Sequence, residues 1–593
     1  MIVFKTALFE IDLSGYGLSL TEQCALFTDN IYRSYSLPFT IEADEELLVK
    51  LGLPHLQNIN NVSSSINGTL QLPDVYYNAT LYLGEINGKN IECEITFGDQ
   101  DLPVYDIELK NLPWPIILSP DLLNFANDVR QKSWPDVGYN FVMMYNPKIK
   151  EESNYELFDG FVNNYVSGYG YLENRNYQAN GEEVYQNRNV MAPFPYLIEI
   201  LRFGFLQEGK VLRGKLLDDE LFKKAVYVPE TYLEKFRGSE FQQFNFSTPD
   251  EIIQEDNVSY GIYKKRFLIE TSGDYEIDFT LNLDPVIATN FTLQIVKTDP
   301  EGNVVQTIYG AQSRRNRVSI EEKLEFNQGD TDLYGYIEIT LKLIYTSQNI
   351  AGYNSFEYAY KNGRLNEFPT YFSLNNFMPD MTFGEYVNEL KNWLNLDIDI
   401  RDGEVIINYT QDSIFEKART SHTHLEVPQP TIQHNNNRLY KLNYANEEQI
   451  IYNKNGQVYS DLDEEGADVV TVDIDVQPVK VERNEDKLTA VLPEERAGLD
   501  FCVYDSDSSK AFADPELTKA LSLQAVFDAR WVKWLGFRIN SKSFKENFTC
   551  SIYEHINIKE LSFKYNELHV IKKLTRKFIS EKTMKVEIES ETF

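Results

Sequence analysis

Hydrophobic and polar positions are most ordered from Pro379 to Tyr409, PDMTFGEYVNELKNWLNLDIDIRDGEVIINY. Phe383, Val387, Leu390 and Leu394 recur at helical spacing. Thr382 with Glu385 three residues on is a capping box, a hydroxyl and a carboxylate that satisfy amide donors left free at a helix start. Leu396, Ile398 and Ile400 then alternate with Asp397 and Asp399, the period of a strand with one wet face. Arg401-Asp402-Gly403 predicts a tight hairpin turn, because Asp-Gly accepts positive φ, and Val405 and Ile407 lead back. The pattern predicts a helix packed on a β-hairpin. It holds no nucleophile, histidine or ligand set, so it is read as scaffold.

Around this unit the pattern is mostly β. Leu37, Phe39 and Ile41 alternate, as do Ala79, Leu81 and Leu83, then Ile91, Cys93, Ile95 and Phe97 after the turn Asn87-Gly88. With a further strand at Tyr105, Ile107 and Leu109, residues 1–115 read as an N-terminal barrel or sandwich ended by Leu112-Pro113-Trp114-Pro115. Residues 116–245 begin with a Tyr- and Asn-rich stretch of weak periodicity, as expected of irregular, hydrogen-bonded interface segments. They continue with a small α/β unit. Its first helix carries Leu197, Ile200, Leu201 and Phe205 on one face, with Pro195 in the first turn and Gly209 as the stop. A strand at Val211-Leu212 and a second helix from Asp218 to Lys224 follow. Residues 246–365 alternate again, at Tyr275, Ile277, Phe279, Leu281 and Leu283 and from Ile337 to Tyr345, with Asp299-Pro300-Glu301-Gly302 as a turn. They read as a β-sandwich inserted into the flanking chain.

In the last region, 366–593, residues 425 to 500 read as polar and extended. Ser522 to Leu535 read as a helix with a wide aromatic stripe, ended by Gly536. The chain closes on strands with Met584, Val586 and Ile588. The expected fold class is α+β, mostly β: a multidomain chain with barrel domains, a small α/β unit and an inserted β-sandwich.

Charge narrows the function classes. With 91 acidic and 56 basic residues the formal net charge is -35, which argues against binding a phosphate backbone. It permits an acidic surface lining a passage that repels DNA, although a plain solubility role is the more ordinary reading. Cys24, Cys93, Cys502 and Cys550 lack disulfide or zinc spacing and read as buried thiols in a reducing compartment. The start, MIVFKTALFEIDLSGYG, lacks the pattern of a signal peptide, and no apolar run is long enough to cross a bilayer.

Candidate chemistry is sparse. His422 and His424 would share a face if extended, with His434 further on, but no carboxylate or thiol at matching spacing completes a metal set. Asp461-x-Asp463-x-Glu465-Gly466 resembles the start of a calcium loop, yet Val472 stands where the bidentate glutamate belongs, so an acidic hairpin tip is expected. Gly168-Tyr169-Gly170 lacks the third glycine of a dinucleotide site. Carboxylates are so abundant that no pair singles itself out for glycosidase chemistry. Lys572, Lys573, Arg576, Lys577, Lys582 and Lys585 form a basic patch, either a solvated strand face or a contact for an acidic neighbouring protein.

Four pieces carry a resemblance: SYSLPFTIEAD with the hairpin TLYLGEINGKNIECEITF; PYLIEILRFGF followed by DDELFKKAVYV; DMTFGEYVNELKNWLNLDIDIRDGEVIINY; and the closing NELHVIKKLTRKFISEKTMKVEIES. They are similar to the tail-hub or baseplate-hub structural proteins of tailed bacteriophages, particularly those of Bacteroidota phages and prophages, whose hub fold is shared by secretion-system spike proteins. The resemblance implies two hub-type β-barrel domains that, in a trimer, make a pseudo-hexameric ring matching the tail tube. The sandwich and the Tyr/Asn-rich stretch depart from that pattern. What is expected is a structural virion protein, not an enzyme, that joins the tail tube or tail ring to the distal tip and surrounds the DNA exit path. It would have no cofactor, metal or catalytic residue. Its partners would be itself, as a homotrimer, and other tail proteins, with DNA only as passing cargo. It would reside in the virion tail after assembly in the host cytoplasm. The alternative is a tail-associated receptor- or glycan-binding protein that uses the β-sandwich.

Overall fold

The computed structural model describes residues 2–27, 34–52, 64–73, 75–98, 102–148, 158–179, 182–233, 240–243, 248–268, 273–283, 291–299, 302–313, 318–328, 336–345, 354–360, 366, 368–401, 403–435, 437–445, 448–458, 466–506, 510–580 and 582–592. Asp402, Pro300, Glu301 and the expected acidic tip with Asp461, Asp463 and Glu465 lie outside them. The chain is mostly β, divided among several sheets.

The largest sheet joins the two ends of the sequence. Its order is Glu10–Asp12, Val3–Lys5, Ser65–Gln71, Tyr76–Asn87, Asn90–Phe97, Ser34–Ser36, Ser19–Gln23, Glu567–Ser580, Thr583–Thr592, Lys542–Ser551 and Thr431–His434. The seam is the antiparallel pair of Ser19–Gln23 with Glu567–Ser580, in which Leu20 faces Arg576. Alternation explains the buried side: Leu20, Ile41, Leu81, Ile91, Ile95, Leu574 and Val586 all enter one core with Phe4. Among the described residues the strand path stays open from Glu10–Asp12 to Thr431–His434, so the expected barrels are not closed ones. The N-terminal strands use an edge to pair with the end of the chain instead of curling onto themselves.

The helix-on-hairpin unit forms as its pattern predicts. Helix Phe383–Leu394 starts at the Thr382/Glu385 capping box, and strands Leu396–Arg401 and Glu404–Tyr409 pair antiparallel. The unit is the middle of a larger core. Val211–Arg213 adds parallel to Glu404–Tyr409, and the Tyr386 hydroxyl donates to the Leu197 carbonyl at 2.6 Å. Helix Leu197–Gln207 crosses Phe383–Leu394 at Gly204, where a Cβ would collide with the edge of the Phe383 ring. Gly204→Ala should therefore overpack this crossing and cost about 1–3 kcal/mol, read as a lower midpoint in denaturant unfolding.

Several local expectations are corrected. Pro195 precedes the helix, because Phe194–Pro195 pairs as a short strand with Tyr139–Asn140. Asp218 to Lys224 is not a helix but two 3-10 turns, Lys215–Asp218 and Phe222–Lys224, between which the Asp219 carboxylate accepts from the amides of Leu221 and Phe222. Tyr105 to Leu109 lies in 3-10 turns, since Pro103 starts one and Ile107 closes it. Gly536 does not stop its helix: Leu523–Val526 passes through a π turn, Phe527–Trp531, into Val532–Asn540. Residues 425 to 500 are not simply polar and extended. Strands Arg438–Tyr444, Gln449–Asn453 and Asp468–Ile474 form one sheet that buries Leu439, Leu442, Ile450 and Ile451.

The inserted segment is a pair of sheets, one of four strands and one of five, packed over Ile277, Phe279, Leu293, Ile339 and Leu341. Its first and last described strands, Glu240–Gln243 and Asn354–Tyr360, pair with each other. Where the chain leaves and returns, the Asn366 side-chain amide donates to the Leu233 carbonyl at 3.2 Å.

Candidate functional site

One cluster of buried polar groups lies where the chain ends meet the central core. One face of strand Thr583–Thr592 is turned away from Met584, Val586 and Ile588, and at its end helix Val532–Asn540 and strand Arg438–Tyr444 cover it. Glu591 lies beneath that cover. Its carboxylate accepts from Arg438 Nη1 at 2.8 Å and Arg538 Nε at 2.7 Å, and the three side chains are less than a tenth exposed. Ser541 Oγ adds a third donor at 3.2 Å. Burial pushes the Glu591 carboxyl up, but Arg538 and Arg438 outweigh it and hold the group below the usual carboxylate range. The Arg538 guanidinium also lies 4.4 Å from the Phe27 ring centre and 5.4 Å from that of Trp534. Phe27 comes from the N-terminal part, so one cation ties both ends of the chain to the core. A cavity of about 50 Å³ adjoins it, lined in part by Phe27, Lys391, Tyr440, Trp534 and Arg538.

Two further buried ion pairs repeat this design along the same sheet. Glu22 pairs with Arg576 across the seam, and Arg576 also donates to the Ile556 carbonyl. Lys564 Nζ meets Glu546 Oε1 at 2.6 Å, and Tyr565 donates to the same oxygen at 2.6 Å. These groups fix register and docking, because a buried charge must meet its partner or pay a large desolvation cost.

Glu389, on the central helix, accepts from the Asp475 amide at 2.9 Å. Burial pushes its carboxyl up to about 7; the Asp475 amide opposes this, while the charges of Asp475, Asp473 and Glu385 add to it. A raised folded-state value means that the stability from this group is fully present below about 4.5 and is lost as pH rises through about 7. Glu389→Gln should remove that loss, so the variant gains melting temperature relative to the parent above neutral pH and not in acid.

The residues singled out by sequence are dispersed. His422 is buried, its ring nitrogens 2.8 Å from Ser562 Oγ and 2.8 Å from the His555 carbonyl. His424 meets Glu554 at 2.8 Å, and His434 is exposed on the edge strand opposite Lys542. Among the described residues, no three His, Cys, Asp or Glu side chains converge as a metal group would require. Gly168 and Gly170, at positive φ, shape the hairpin Tyr165–Val166 to Gly170–Tyr171, with Tyr169 87% exposed at its tip. Cys24, Cys93 and Cys502 are buried and Cys550 is half-buried, all as free thiols. The basic patch splits: Arg576 turns inward, while Lys577, Lys582 and Lys585 are exposed. No helix among the described residues is long and apolar enough to cross a membrane.

Sequence reading missed Arg438, Arg538, Glu591 and Glu389. Glu587, Glu589 and Glu591 share one strand face, and nothing local marks the last as covered.

No protein-family model matches the chain. No curated protein matches it either. Among solved structures, a prophage tail protein from Shewanella oneidensis is 8% identical, with 56% of this chain and 97% of that chain covered at a TM-score of 0.16. The tail protein from Neisseria meningitidis MC58 is 8% identical, with 56% of this chain and 96% of that chain covered at 0.18. The infectious bursal disease virus VP2 subviral particle is 12% identical over 24% of this chain at 0.14, and the match spans 38% of that viral chain. At such TM-scores these likenesses decide neither the whole-chain fold nor the function.

Proposed function

We propose that the chain is a structural component of a bacteriophage tail, a tail or baseplate hub that joins the tail tube or tail ring to the distal tip and surrounds the DNA exit path. It works by subunit packing, without enzymatic chemistry or a cofactor. The observation that carries the reading is the sheet in which the first and last strands of the chain lie together. The pieces that resemble hub proteins converge on it and on the helix-on-hairpin core. Its outermost strands, Glu10–Asp12 and Thr431–His434, each leave an edge without a strand partner among the described residues, as a subunit made to assemble with others would. The net charge of -35 suits a protein beside which DNA must slide without sticking.

Mass measurement and electron microscopy of the purified protein, alone and mixed with its tail neighbours, test this reading. Trimers that join tail tube or tip components are expected. A stable monomer that binds neither rejects the hub role.

A receptor- or glycan-binding role for the inserted sandwich is the second reading. It is favoured by the way that module is hung, with its end strands paired and its entry and exit hydrogen-bonded. Deleting the module should then abolish host adsorption and leave tails intact; unchanged adsorption rejects it.

A further inference from the structure

The face of the large sheet turned away from its apolar core is charged with opposite signs at two places. On the C-terminal side, Lys577 and Lys585 stand directly opposite each other in register. Their row continues only to Ser19 on one side and Thr549 on the other. A like-charge pair facing across two strands is unfavourable on its own. Glu587 and Glu589, on the same face, are both engaged by Lys545, at 2.9 and 3.1 Å. Glu554, near the sheet end, is engaged by His424. Lys577, Lys582 and Lys585 are exposed and have no carboxylate partner among the described residues. Ile579 and Tyr553, 59% and 66% exposed, flank them, so the patch combines cations with apolar surface.

The complement lies on the N-terminal side of the same face. Glu42, Glu92 and Glu94 alternate with the buried Ile41, Ile91, Cys93 and Ile95 and point outward. In register Thr40 faces Glu92 and Tyr82 faces Glu94, and none of the three carboxylates has a cation partner among the described residues. Two strands, Ser34–Ser36 and Ser19–Gln23, separate this block from Glu567–Ser580. At ordinary strand spacing the two blocks are about 14 Å apart, too far to neutralise each other within one molecule.

We infer that the lysine patch around Lys577 and Lys585 seats the Glu42, Glu92 and Glu94 patch of a second copy of this chain, a head-to-tail contact between unlike patches. Such a contact repeats from copy to copy and closes where the rotation allows. A polyanion such as DNA is the lesser fit, because the rest of a chain carrying -35 charges repels it. The inference adds a specific surface to the self-association in the reading above.

The test is a charge swap in the full-length protein, followed by sedimentation velocity at about 0.05 M and about 0.5 M salt. The Lys577→Glu/Lys585→Glu double variant and the Glu92→Lys/Glu94→Lys double variant should each weaken low-salt self-association by about tenfold or more. The variant carrying all four substitutions should recover it. Unchanged melting temperatures confirm that the exposed substitutions leave the fold intact. The inference is overturned if self-association ignores both reversals, if the fourfold variant stays as weak as the doubles, or if the lysine reversals abolish binding of a short DNA duplex and leave self-association unchanged. A wild-type chain that stays monomeric overturns both this contact and the trimeric reading, whereas an oligomer indifferent to the reversals overturns this contact alone.

Discussion

Glu591→Gln should destabilise the protein by about 3–5 kcal/mol at neutral pH, because it strands two guanidinium groups in a site with almost no solvent. A neutral amide keeps the shape of the carboxylate and loses its charge, so the effect isolates electrostatics from packing. Guanidinium unfolding followed by tryptophan fluorescence is a direct readout, since Trp534 is next to Arg538. A companion variant sharpens the test: Arg438→Met, Arg538→Met and Glu591→Leu together should cost far less than the single change, because no unpaired charge is left behind. The pH dependence has a definite sign. The Glu591 carboxyl is held below its ordinary 4.5, so its stabilisation is fully present above that value and is lost as pH falls through the lower folded-state value. The gap between parent and Glu591→Gln should therefore be constant across neutral pH and close in acid.

Gly214→Ala is expected to be as damaging, by a backbone route. Gly214 sits at φ 103° and ψ 179°, a region that only glycine occupies without strain, and a Cβ there would strike the Ile407 carbonyl oxygen. Strain and collision act at the turn that brings Val211–Arg213 alongside Glu404–Tyr409. A loss of about 2–5 kcal/mol is expected. Hydrogen exchange gives a local check, because the amides of Glu404–Tyr409 should lose protection before those of the inserted module do. Exchange unchanged from the parent would show that the turn relaxes freely.

What the sequence disclosed, and what it hid, follows the range of the interaction. The Thr382/Glu385 cap and the alternation through Leu396, Ile398 and Ile400 are written within a few residues of each other, and the structure realises both. The strands of the inserted segment are equally local. Pairings between distant segments left no mark: Met144 beside Ala490, Val211 beside Glu404 and Ser19 beside Lys577 are matched by strands whose patterns say nothing about partners. Residues 425 to 500 looked polar because Lys441, Asn443 and Asp473 alternate with Tyr440, Leu442, Tyr444, Val472 and Ile474, which is what strands with one covered face require. The buried ion pairs were hidden for a related reason. Arg438 and Glu591 fall on positions where a surface charge is ordinary, and only the packing of strand Arg438–Tyr444 and helix Val532–Asn540 against Thr583–Thr592 makes them interior.

The seam between Ser19–Gln23 and Glu567–Ser580 has a consequence for the making of the protein. The Glu22–Arg576 pair spans 554 positions, so strand Ser19–Gln23, paired with Ser34–Ser36 on one side, gains its other neighbour only after those positions have been translated. At ordinary elongation rates that wait is about half a minute to two minutes. A polypeptide truncated before Glu567 never acquires the seam. Such a fragment leaves one edge of Ser19–Gln23 unpaired and open to aggregation or proteolysis.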